Sequence, residues 1–218
     1  MSKKMMLLAL AVAALFALPA AASATEAHVT GITSFTGTGG PGSLKSTSEP
    51  EVTAIETHIT GEFNSGSSTT GTISLDFTEA KAHFLGITTE CHTAGLANGT
   101  IKTTGTFHII TTSTNKPGIL VTPVTTTLIC ASAFRIEVSG NVIGTITSPE
   151  CGNSSNILAV SFSSTGATQN DIEYTGTKYD LVGNTETSAG ATTGSPFTAG
   201  LNANNTLESL KAGTLECT

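Results

Sequence analysis

Apolar and polar residues alternate with period two through most of the chain. Ile73, Leu75 and Phe77 alternate with Ser74, Asp76 and Thr78, the signature of a strand with one buried and one solvated face. Ile55, Thr57 and Ile59 share one parity against Ala54, Glu56 and His58, and Phe134, Ile136 and Val138 share one against Arg135, Glu137 and Ser139. Leu85, Ile87, Thr89 and Cys91 continue the style, as do Leu158, Val160 and Phe162. Residues 101–110 and 119–130 read as longer strands separated by a turn at Asn115–Gly118, and Gly140-Asn141 predicts a bend before Val142–Ile146.

Elsewhere the pattern is weaker. Glu79–Phe84 is less regular, and Ile172–Tyr174 and Tyr179–Leu181 flank Gly176 as one bulged strand or a tight pair. Thr185–Pro196 reads as a loop, Phe197–Ala203 as a short strand or turn, and Thr206–Leu210 as one helical turn. Residues 25–50 read as a flexible N-terminal segment with one short strand at His28–Ile32, followed by the Gly- and Ser-rich loop Ser34–Ser43. Beyond the leader no segment holds the i, i+3, i+4, i+7 spacing over three turns. The expected fold is all-β, a single antiparallel β-sandwich or barrel-like domain over 51–218.

The first 24 residues form a secretory leader. Lys3 and Lys4 are its positive start, Met5–Leu18 its apolar stretch, and Ala22-Ser23-Ala24 its small-residue cleavage site ahead of Thr25. No later apolar run reaches the 18 or so residues of a spanning helix. No cysteine stands at the cleavage point and no apolar tail or sorting signal ends the chain at Gly213–Thr218, so release as a secreted, extracellular protein is expected.

Composition sharpens this picture. Of 218 residues 41 are Thr, and 11% are charged against about 25% in ordinary globular chains, so Thr, Ser, Asn and Gly supply the polar surface. Thr is β-branched and suits a pleated surface. Once Lys3 and Lys4 leave with the leader, 16 acidic residues face 7 basic ones. Such a chain lacks the basic footprint for nucleic acid or anionic lipid.

Cys91, Cys130, Cys151 and Cys217 are an even set in an oxidising compartment, without a C-x-x-C pair. Structural disulfides are expected. Of the three pairings, Cys91 with Cys130 and Cys151 with Cys217 is favoured because each bridge closes one half of the domain. By the chain-entropy argument each contributes about 4 kcal/mol.

Candidate chemistry is thin. Gly37, Gly39 and Gly42 spell G-x-G-x-x-G, but Pro41 interrupts it, and neither the strand before nor the helix after that phosphate binding requires is present. Glu56 with His58 and Glu90 with His92 are i, i+2 pairs that on neighbouring strands would offer metal ligands; solvated strand positions are the plainer reading. Cys91 beside His92 suggests a thiolate pair only if the thiol is free. Asp171 and Glu173 at strand spacing would stand about 7 Å apart, a separation used in glycoside hydrolysis. With no Trp and only Tyr174 and Tyr179, the aromatic platforms of sugar sites are missing. The Asn98, Asn153 and Asn204 sequons indicate surface loops. No catalytic residue, cofactor or metal is expected.

From Cys91 onward the chain resembles an uncharacterised family of bacterial secreted β-rich proteins. The resemblance rests on Ala97–Thr103 after a cysteine, Leu128-Ile-Cys130, Thr165–Gln169, Phe197–Leu201 and above all Phe134–Pro149. It implies a secreted β domain and assigns no activity. The expected role is a non-enzymatic, envelope-associated structural or interaction module with an unknown partner; the alternative is a small-ligand or lipid-binding β-barrel. Thr-rich edge strands with few charges to guard them also suggest pairing between chains.

Overall fold

The structure is a computed structural model that describes residues 26–47, 51–130, 134–187 and 196–217. The leader lies outside the described residues. Every described element is a strand, so the fold is all-β.

The strands fall into eight antiparallel lanes. After a short β1 (His28–Thr30), lane one holds β2 (Ser34–Gly39) and β3 (Gly42–Ser46). Lane two holds β4 (Glu51–Ala54) and β5 (Glu56–Phe63), and lane three β6 (Thr70–Thr78) and β7 (Lys81–Phe84). Lane four holds β8 (Ile87–Thr93) and β9 (Ile101–Thr111). Lanes five and six are the single strands β10 (Pro117–Cys130) and β11 (Phe134–Ser148). Lane seven begins with β12 (Ser154–Phe162). An outward excursion follows it, with two small hairpins, β13 (Ser164–Thr165) with β14 (Thr168–Gln169) and β15 (Glu173–Tyr174) with β16 (Thr177–Lys178). The lane resumes with β17 (Leu181–Thr187), and the 20-residue β18 (Phe197–Glu216) is lane eight.

Each lane pairs with the next along the chain, and β18 pairs back onto both β2 and β3. The sheet therefore closes into an up-and-down barrel, which removes its edges. This answers the concern about unguarded edge strands: within the described residues the long lanes are paired on both sides.

Several expectations are corrected. Ser34–Ser43 is not a loop but most of the first lane, and Thr206–Leu210 lies inside β18 rather than in a helical turn. Phe197–Ala203 opens that same long strand. Of Thr185–Pro196, the first three residues belong to β17 and 188–195 lie outside the described residues. Around Gly176 the chain makes a tight hairpin.

Inward rows are mostly apolar. Phe35, Phe63 and Phe107 pack edge-on with ring centroids 4.9 to 6.1 Å apart, among Ile59, Ile73, Val121, Val142 and Leu207. Two outward rows are polar. One runs Glu208, Thr36, Thr60, Ser74, Thr104 across five lanes, and the next runs Thr206, Thr38, His58, Asp76, Lys102. Over these five lanes this is the reverse of a lipid-embedded barrel, whose outer band is apolar. The disulfides are Cys91–Cys130, facing each other across β8 and β10, and Cys151–Cys217 at the opposite end.

Candidate functional site

Three features of the barrel bear on function. The first is the N-terminal strap. β1 pairs with the end of β18, from His28 opposite Glu216 to Thr30 opposite Thr214, and buries Val29 against Leu215. The strap also reaches the far lanes: Ala27 N donates to Thr111 Oγ1 at 3.2 Å and Val29 N to Ser68 O at 2.8 Å. Glu26 accepts a hydrogen bond from the Tyr174 hydroxyl, and its other oxygen lies 3.2 Å from His108 Nε2. The Tyr174 ring stands edge-on to His108 and covers Ile110, Leu120 and Ile143, an apolar patch on the outer wall. An acid, an imidazole and a phenol thus meet, but they spend their polar atoms on one another and fasten the strap.

The second feature is a shallow groove of about 850 Å³ on the outer wall. Thr36, Thr60 and Thr104 are exposed and supply hydroxyls from three lanes, Glu62 and Glu208 supply carboxylates, and the fully exposed Leu210 marks one rim. Its inner row reads Phe35, Gly61, Ile73, Gly105. Its lining contains no basic residue.

The third is a cavity of about 80 Å³ inside the barrel, walled by Leu75, Phe77, Ile101, Val138, Leu181 and Leu201 among others. Thr103 lies on its wall.

The residues singled out by sequence pattern are dispersed. Glu56 and His58 form an exposed pair at 3.4 Å on β5. Glu90 and His92 sit on β8, which neighbours β7 and β10 rather than β5, so the two pairs do not converge. Among the described residues no group of three His, Cys, Asp or Glu could hold a metal. Cys91 is disulfide-bonded, so it offers His92 no thiolate, and His92 Nδ1 is buried without a partner. Asp171 lies outside any strand and accepts from Thr145 Oγ1 at 2.7 Å, while Glu173 opens β15 opposite Lys178. The two carboxylates therefore do not share strand spacing. Gly37 and Gly39 lie in β2 and Gly42 opens β3. A Cβ at Gly37 would lie 2.6 Å from Leu207 Cδ2, so this glycine makes room for a core side chain and not for a phosphate. Asn204 is in β18, where Ser161 Oγ donates to its Oδ1 at 2.7 Å, and so is not in a loop.

Comparison with known proteins finds no matching family model, no matching curated protein and no matching solved structure. Any functional reading rests on the chain's own geometry.

Proposed function

We propose that this chain is an exported, non-catalytic interaction module that meets its partner, in or near the cell envelope, through the outer wall of its barrel. The observation that carries this reading is the contrast between interior and exterior. Phe35, Phe63 and Phe107 belong to a continuous apolar core that fills the barrel, and the cavity beside Leu75 and Leu201 is about 80 Å³, against roughly 300–1,000 Å³ for ordinary ligand pockets. That size counts against a lipid. The outer wall offers a groove ten times larger, lined with hydroxyls and two carboxylates. Export is supported by the Lys3/Lys4 leader and two disulfides, and kinship with the bacterial secreted β-rich proteins by Phe134–Pro149.

Sedimentation of the mature protein with washed envelope particles of the producing cell tests the reading. Saturable co-sedimentation is expected, weakened at least tenfold by Thr60→Lys with Thr104→Lys in the groove. A protein that stays in the supernatant at every concentration overturns the reading, and so does binding that ignores the two lysines.

A further inference from the structure

The long strand β18 breaks register with β12 at one place. Ser155 stands opposite Gly213 and Ile157 opposite Glu208, so the four residues Ser209–Ala212 face Asn156 alone and bulge from the ladder. A bulge re-aims side chains. This one leaves Leu210 fully exposed, with Lys211 and Ala212 exposed beside it. The Ser209 hydroxyl donates to Lys211 O, which ties the bulge to itself. A protrusion shaped in advance loses less freedom on docking than a loose one.

The groove next to the bulge has the complementary character. Glu62 and Glu208 line it without any basic residue, and exposed Thr36, Thr60 and Thr104 offer a methyl beside each hydroxyl. Among the described residues neither of these carboxylates nor the Lys211 ammonium belongs to an ion pair. One chain thus carries, side by side, an apolar tip with a free cation and a groove with two free carboxylates. Leu210 is fully exposed, so the bulge does not fill the groove of its own chain.

We propose that the groove receives the Ser209–Ala212 bulge of a second copy of this chain, in a two-fold dimer. The two bulges lie side by side, each Leu210 over the threonines of the other chain and each Lys211 against the other chain's Glu62 and Glu208. A two-fold makes every such contact twice from one self-complementary patch. Charge complementarity selects this occupant: a basic segment of another protein would meet the carboxylates but leave Lys211 without an acid. Both chains are acidic overall and repel each other at long range, so the dimer forms at high concentration. The inference rests on the reading of the groove as a docking face, which the second copy occupies when no envelope partner does.

Sedimentation velocity of the mature protein alone, without envelope particles, tests the dimer. A shift from monomer to dimer is expected across the micromolar to millimolar range. Lys211→Glu, and separately Glu62→Lys with Glu208→Lys, should each weaken the dimer at least tenfold and leave the circular dichroism of the barrel unchanged. An equimolar mixture of those two variants should dimerise again, because each bulge then meets a groove of opposite charge. Leu210→Ser should weaken the dimer as strongly. A protein that stays monomeric throughout overturns the dimer; if it still co-sediments with envelope particles, the groove keeps its docking role and only the second copy is lost. Dimerisation that ignores all four positions, or a mixture that stays monomeric, overturns the dimer equally.

Discussion

Glu26 Oε2 and His108 Nε2 lie 3.2 Å apart although 82 positions separate the two residues in sequence. The ion pair itself contributes little, because 43% of the Glu26 side chain is exposed and exposed pairs are worth about 0–1 kcal/mol. The stronger tie is the hydroxyl of the buried Tyr174, donated to the other Glu26 oxygen. Hydrogen bonds to a charged group contribute about 1.5–3 kcal/mol. Tyr174→Phe should therefore lower stability by about 1–2 kcal/mol, and His108→Ala by less than about 0.5 kcal/mol. Urea denaturation orders the two, and an equal loss in both would show that the phenol does not hold the strap.

Gly61 is required by what lies inside the wall. The Phe35 ring occupies the place where a Cβ on Gly61 would stand, and Phe35 also packs on Phe63 and Phe107. Gly61→Ala should force that trio off its packing and cost about 1–3 kcal/mol. Gly66, in a surface turn with open space about it, has φ +74, so Gly66→Ala tests only the backbone and should cost about 1 kcal/mol. Thermal unfolding of the pair separates the effects; a smaller loss at Gly61 than at Gly66 would contradict the clash.

Thr57 is 1% exposed, faces inward from β5, and its Oγ1 has no partner. Valine keeps its shape and removes the stranded hydroxyl, so Thr57→Val should stabilise the barrel by about 1 kcal/mol. The gain should appear as a raised denaturant midpoint. A destabilised Thr57→Val would mean that the hydroxyl is satisfied in solution.

These residues also show where sequence pattern is legible and where it stops. Ile73–Thr78 reads plainly because one face is packed and the other is solvated. Ser34–Gly39 reads as a loop because Gly37 and Gly39 occupy its inward positions, and those are glycine because Leu207 and Asn205 of the facing lane fill the space. Thr206–Leu210 lacks clean alternation because its outward members include the exposed Leu210. Glu26 carries no local signal at all, since its partners stand 82 and 148 positions away. Closure is equally non-local, depending on β18 returning to β2 and β3.

The two disulfides should differ in what they protect. Their separations of 39 and 66 residues give similar chain-entropy contributions, about 4 kcal/mol each on that model-dependent argument. Their surroundings differ. Cys91 and Cys130 face each other within a ladder that also joins Leu128 to Thr93, so backbone pairing continues to hold those strands in register. Cys217 directly follows Glu216, where β18 receives the strap, and Cys151 anchors the turn whose Gly152 N donates to Leu215 O at 2.7 Å. Removing Cys151–Cys217 should therefore loosen the barrel's N-terminal closure as well as lower global stability. Hydrogen exchange of Cys151→Ala/Cys217→Ala should show the Val29 and Leu215 amides losing protection well before Ile59 and Leu75. In Cys91→Ala/Cys130→Ala they should exchange with the rest of the core. If both variants lose protection uniformly, the strap is not a separately opening unit, and its bonds through Glu26 merely follow the global fold.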